Sequence, residues 1–235
     1  MIAQIESLNK LIDTDHVFET ALSVGRTAID FAAIERIPRY SAEKRENDAE
    51  HSFMLGMLAV ELAKHHNDTT QNDTQLDVGL VSQYATVHDL IELQTGDTPT
   101  FDLSAAEHEQ KAAKEIAALQ ALCARLPPHL AQLVREYEKQ ETLEAQFVKL
   151  VDKLLPIIVD IISGTGAQVM QMDYGTHSAT HAASIHTKNQ QRLEHIYDKE
   201  WAQSILDARQ KLADMFIKIV DESLDGEQLT IDYAA

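Results

Sequence analysis

Helical spacing runs through most of this chain and leaves few folds open to it. Residues 52–65, SFMLGMLAVELAKH, set apolar side chains three and four positions apart, the repeat that gathers them on one face of a helix. The same spacing recurs over 76–94, 104–126, 128–140, 142–163 and 188–223. Alternating apolar and polar runs closed by Gly or Asn turns, the mark of half-buried strands, are missing. Glycine is also scarce, at 8 in 235 residues. The expected fold class is therefore all-α, a helical bundle.

The breaks between these stretches fit that expectation. DTTQNDTQ, 68–75, is a polar loop of turn formers. Leu126-Pro127-Pro128 ends one helix and opens the next, because proline is tolerated in a first helical turn. Gly96 stands where a helix C-cap glycine belongs. The segment 164–187, GTGAQVMQMDYGTHSATHAASIHT, is poor in large apolar residues and reads as a loop or broken helix. No internal repeat or linker divides the chain. The expectation is one domain over 1–235, with a core at 26–163, a C-terminal helical extension over 164–223 and an acidic tail at 224–235.

Charge narrows the partners. Lysine and arginine number 20 against 38 acids, a formal charge of -18. That field repels nucleic-acid phosphates and anionic lipid, so neither a nucleic-acid polymer nor a membrane is an expected partner. The single cysteine, Cys123, allows no internal disulfide and sits in a helical stretch as a small buried hydrophobe. Together with an N-terminus, MIAQIESLNKLIDTDH, that lacks the basic start and apolar stretch of a signal peptide, it gives a cytoplasmic expectation.

Against this background the stretch TVHDLIELQTGDTPT, 86–100, stands out. His88, Asp89, Glu92 and Asp97 fall within ten residues among Val87, Leu90, Ile91 and Leu93. On a helix His88 and Glu92 share a face, as do Asp89 and Glu92. Alone, that is a polar patch. Two other stretches add to it. His51 opens an apolar helix in RENDAEHSFMLGMLAVELA, 45–63. Asp152 lies among Phe147, Val148, Leu150, Val151, Leu154 and Leu155. A buried carboxylate must be paired or coordinating, so Asp152 either binds a cation or pairs with Lys149 or Lys153.

The order His51, His88-Asp89, Asp152 resembles the HD-domain metal phosphohydrolases, a helical superfamily named for its doublet. RIPRYSAEKRENDAEHS, HDLIELQTGDTPT and EAQFVKLVDK resemble the three signatures of the bacterial HD-domain 5'-deoxynucleotidases and their eukaryotic relatives. The match covers about 26–163, in family order and near family spacing. The resemblance implies that His51, His88, Asp89 and Asp152 are the ligands of one divalent ion. Two imidazoles and two carboxylates suit Mn, Co, Fe, Ni or Zn rather than Ca. It further implies removal of phosphate from a (deoxy)nucleoside 5'-monophosphate by a metal-activated water, and a homodimer.

Within that resemblance Glu92 orients or deprotonates the attacking water and Asp97 protonates the departing 5'-oxygen. Glu92 could instead hold His88 in its tautomer, and Asp97 could be a turn or N-cap residue. Arg36 in the Arg-Ile-Pro segment is assigned to phosphate or sugar, which a guanidinium suits. Glu50 is assigned to supporting its neighbour His51. One departure is Ile37, where bacterial deoxynucleotidases usually carry Trp against the sugar; preference for 2'-deoxyribose is left open. His177, His181 and His186 read as exposed loop residues, with a second metal site or lid as the alternative. Trp201 is expected to pack on the bundle or a second subunit. The rivals to this function are a deoxynucleoside triphosphate hydrolase of the same superfamily and a non-catalytic nucleotide-binding protein.

Overall fold

The computed structural model describes residues 16–41, 43–70, 74–96, 116–164 and 179–224. Helix α1, His16–Phe31, buries only Phe31 and leaves Val17, Leu22 and Ile29 half or more exposed. A short antiparallel hairpin follows, β1 Glu35–Arg39 and β2 Arg45–Asn47, with Glu35 opposite Asn47, Arg39 opposite Arg45 and an irregular register between. The all-α expectation contained no strand. Segments of five and three residues, ERIPR and REN, are too short and too charged to show a period of two.

Asn47 ends the hairpin and starts α2, Asp48–Thr69. Its side chain accepts the Glu50 amide at 3.0 Å while the Glu50 carboxylate accepts the Asn47 amide at 3.3 Å, a reciprocal capping box. Buried positions Asp48, His51, Ser52, Leu55, Ala59, Ala63 and His66 form one stripe along α2. Most of that stripe lies against α3, Val78–Val87, which is capped by the Asp77 side chain and buries Val81, Tyr84, Ala85 and Val87.

Two helices end earlier than their sequence periods suggest. The 76–94 stretch is not continuous: α3 stops at Val87, and a turn leads to the single-turn α4, Glu92–Thr95. The His88 ring donates from Nδ1 to the Ala85 carbonyl at 2.9 Å, taking the acceptor that a continuing α-helix would offer to Asp89. The Leu90 amide then bonds back to Val87 at 3.1 Å, the tighter spacing of a 3₁₀ turn. Gly96 terminates α4 at φ 67°, in the conformation that favours glycine.

After α5, Pro128–Lys139, the 142–163 period also splits, into α6, Leu143–Asp152, and α7, Leu155–Ile162. Pro156 lies in the first turn of α7 and has no amide to give Asp152. The Lys153 and Leu154 amides tighten onto Leu150 and Val151, at 3.1 and 3.0 Å. Asp152 is thereby left at a helix end, buried and free to turn inward.

The 164–187 stretch differs from its expectation as well. Ala179–Ile196 is one helix, α8, so His181 and His186 are helical and not in a loop; residues 165–178, with His177, lie outside the described residues. Low apolar bulk masked this helix, because alanine favours helix without supplying a large apolar face, and its buried residues include Ala182. A 3₁₀ turn, Glu200–Ala202, joins it to α9, Gln203–Leu224, which packs on both α8 and α7. Leu193, Tyr197, Ala202, Ile205 and Leu206 enter the same apolar cluster as Leu55, Val81 and Phe147. Trp201 packs on Phe147 with ring centroids 6.2 Å apart. Cys123 is buried, as expected, with its Sγ 3.6 Å from the Ala131 carbonyl.

Candidate metal centre

Three of the local breaks point at one another. His51 comes from the first turn of α2, His88 and Asp89 from the turn after α3, and Asp152 from the last residue of α6. One ligand atom from each of these four residues lies within 4.8 Å of the other three. The His51 and His88 rings stand 5.2 Å apart. His51 Nε2 lies 2.8 Å from Asp152 Oδ1 and 3.9 Å from Asp89 Oδ2. His88 Nε2 lies 2.9 Å from Asp89 Oδ2 and 3.8 Å from Asp152 Oδ1.

Both rings are held from behind. His51 donates from Nδ1 to Glu46 Oε1 at 2.6 Å, and His88 donates from Nδ1 to the Ala85 carbonyl. Tying Nδ1 outward leaves Nε2 facing the centre, which in the neutral ring carries the lone pair a metal needs. His88 Nε2 is buried and makes no hydrogen bond despite its short distance to Asp89. An orphaned, inward-facing imidazole nitrogen among carboxylates fits a bound divalent ion.

Burial alone would lower the His51 pKa, but the Asp152 and Glu46 carboxylates outweigh it and hold it at about 9, so a cation binding at Nε2 has to displace a proton that the same carboxylates favour. Burial would raise Asp152; Lys153 and His51 overcome it and keep this carboxylate well below its usual range. Asp89 is likewise held low, by His88 and Arg36 against burial. These acids stay ionised while a cation is near.

Arg36 does not project into open solvent toward a substrate. Its NH1 donates to Asp89 Oδ2 at 2.6 Å and to Asp48 Oδ1 at 3.0 Å, with Glu92 Oε2 at 3.9 Å; its Nε stands 3.6 Å from Glu46 Oε1. Glu92 is half-buried beside this group, so Asp48, Asp89 and Glu92 form a second acidic cluster on the same side. Burial raises the Asp48 pKa, and Arg36 partly offsets it. Asp97 lies outside the described residues.

Glu46 and Asp48 carry no mark in the sequence reading, whereas Lys153 is one of the two partners it offers Asp152. Glu46 has no exposed surface and orients His51, yet in RENDAEH it looks like one of several acids that favour a helix start. Glu50, assigned to that supporting role, instead caps α2 and pairs with Lys44 at 2.7 Å. Lys153 meets Asp152 Oδ2 at 2.6 Å, so the carboxylate both pairs with its neighbour and faces His51. His186 is not an exposed loop residue either: its ring packs edge-on against Phe216 at 5.2 Å.

A family described as the HD domain matches residues 33–197. The chain belongs to the HD domain family. Among curated HD-domain relatives, the Xenopus laevis protein named 5'-deoxynucleotidase HDDC2 is 31% identical over 144 residues, covering 56% of this chain and 66% of that one. The Schizosaccharomyces pombe protein named 5'-deoxynucleotidase hdd1 is 30% identical over 123 residues, covering 48% and 56%. The chain thus spans less than two thirds of the curated relatives it matches. A crystal structure from Magnetospirillum magnetotacticum MS-1, of a "predicted metal-dependent phosphohydrolase", shares the fold with a TM-score of 0.63 and 24% identity, over 86% of this chain and 93% of that one. Among the described residues no helix is long and apolar enough to cross a membrane.

Proposed function

We propose that this HD-domain protein is a metal-dependent phosphohydrolase that releases phosphate from (deoxy)nucleoside 5'-monophosphates. The observation that carries this reading is the convergence of His51, His88, Asp89 and Asp152 with both imidazoles fixed from behind. Kinship to proteins named 5'-deoxynucleotidases supports the choice of substrate.

In this reading the four residues hold one ion of the Mn, Co, Fe, Ni or Zn type, the metals that mixed imidazole and carboxylate donors favour. A divalent ion held there would lower the pKa of a bound water to about 7 and polarise a phosphoryl oxygen. Glu92, half-buried beside Asp89, takes the proton of the attacking water on its carboxylate. Asp97 delivers a proton to the departing 5'-oxygen, which an alkoxide leaving group requires. Arg36, which the resemblance assigns to phosphate or sugar, instead fixes Asp48 and Asp89. The chain acts as one domain, a view supported by the apolar cluster that α8 and α9 share with α2, α3 and α6. We further infer a homodimer working in the cytoplasm, supported by the apolar side chains that α1 leaves exposed and by the lone buried thiol.

The test is phosphate release from a panel of nucleoside 5'-mono- and triphosphates with Mn- or Co-loaded protein, products being separated by chromatography. Nucleoside and phosphate from monophosphates are expected. Failure to release phosphate from any mononucleotide sinks the reading, and triphosphate or stepwise phosphate release from triphosphates alone replaces it with the rival hydrolase.

A further inference from the structure

The acids around the centre raise a question that the ligand set leaves open. Glu46, Asp48, Asp89, Glu92 and Asp152 converge around Arg36 and the two histidines. A phosphate dianion entering such a pocket needs a protein cation that the carboxylates have not already consumed. Arg36 is poorly placed for that work. Its NH1 is shared between Asp48 and Asp89, and its side chain is 11% exposed. Reaching a ligand would break two charge-assisted bonds in a buried setting.

Lys153 is placed differently. Of the two cations that ion-pair with candidate ligands among the described residues, it is the open one, with 48% of its side chain exposed. Its ammonium sits 2.6 Å from Asp152 Oδ2, the oxygen opposite the one that meets His51. An ammonium has three protons to donate, and Asp152 takes one. The helix break before Pro156 is what leaves it here: Lys153 caps α6 just outside the buried run that ends in Asp152. The carboxylate it meets turns its other oxygen to His51 Nε2 at 2.8 Å, so the ammonium sits one carboxylate away from the candidate ligand set.

We propose that Lys153 is the residue that binds the substrate's phosphate, its ammonium bridging Asp152 to a phosphate oxygen, while Arg36 serves as an internal brace for Asp48 and Asp89. The proposal rests on the phosphohydrolase reading for its substrate but is tested by binding as well as turnover. Lysine serves as a point-charge phosphate binder where no bidentate geometry is required.

The experiment uses the full chain loaded with Mn, with calorimetric titration of inorganic phosphate, metal content, and KM and kcat for a nucleoside 5'-monophosphate. Lys153→Gln should weaken inorganic phosphate by about tenfold to a hundredfold and raise KM more than it lowers kcat, with Mn content unchanged. Lys153→Arg should restore most of the phosphate affinity. Titration of the unphosphorylated nucleoside should change by less than about twofold. Phosphate affinity unchanged in Lys153→Gln overturns the proposal, as does wild-type protein that binds no phosphate. Loss of phosphate affinity together with Mn, not rescued by arginine, also overturns it and makes Lys153 a prop for Asp152. Wild-type protein that binds phosphate through Lys153 but hydrolyses no nucleotide leaves this inference standing and removes only the nucleotidase reading.

Discussion

The molecule buries charge in two regions and resolves it in opposite ways. At the HD centre, carboxylates outnumber the cations that face them, and a buried imidazole nitrogen is left without a hydrogen bond. Between α8 and α9 the polar groups form a chain. Arg209, 3% exposed, donates to Gln190 Oε1 at 2.9 Å, and Gln190 donates from Nε2 to Glu194 Oε1 at 2.9 Å and to the Leu206 carbonyl at 3.2 Å. An amide relays one carboxylate to one guanidinium, in apolar surroundings that include Ala182, Ala213 and Phe216. Surplus acid with an inward-facing orphan describes a place kept for a cation. One guanidinium joined through an amide to one carboxylate, with no surplus of acid, describes packing, although Arg209 Nε and His186 Nδ1 make no hydrogen bond there.

If that distinction is real, breaking the first region should cost function, and breaking the second should cost stability. The largest effect is expected at Asp89. Asp89→Asn should lower phosphate release by at least about a thousandfold, with bound Mn lost and the far-ultraviolet circular dichroism unchanged. A variant that retains both metal and turnover refutes the ligand assignment. Next comes Glu46→Gln, which keeps an acceptor for His51 Nδ1 but removes the charge behind it. Metal affinity, read by competition with a chelator, should fall about tenfold to a hundredfold, without change in helix content. Equal affinity in the two proteins would show that Glu46 merely fills space.

The two regions were also unequally legible in the sequence. Asp152 stands out as a carboxylate in an apolar helical run, but His51, His88, Asp89 and Asp152 come together as one set only through the resemblance of their order to the HD-domain phosphohydrolases. What surrounds them was not legible. Glu46 reaches His51 only because a hairpin folds back ahead of α2, and that hairpin is too short to leave a periodic trace. The breaks after Val87 and Asp152 depend on a side chain taking a backbone acceptor and on Pro156 lacking an amide. Hydrophobic spacing is blind to the first, and the second is written only in the proline. The same blindness hid the start of α8, whose described face is built partly from alanine. Arg209 and Gln190 gave no signal, since nothing in a local window says that α9 will bring them together across 19 positions.

The smallest expected effect belongs to His186, which packs on Phe216 near Arg209. Burial first, and the Arg209 charge second, press its pKa down to about 4 from the ordinary 6.5. A histidine lowered in this way is neutral in the folded protein at pH values where the unfolded chain already carries the proton. Stability therefore falls as pH drops from about 6.5 and stops falling near 4, because between those limits the unfolded state binds the extra proton. Replacement by phenylalanine keeps an aromatic ring against Phe216 and removes the titration. Urea unfolding of wild type and His186→Phe at neutral pH and near pH 5 isolates this contribution, because every other titrating group is common to both proteins. Wild type should lose on the order of 1 kcal/mol more than the variant over that interval, allowing for partial exposure of the ring. Phosphate release at neutral pH should be the same in both. Equal pH slopes would mean that the α8–α9 region accommodates an imidazolium as readily as the unfolded chain does. The α8–α9 region would then no longer differ from the centre in how it treats charge.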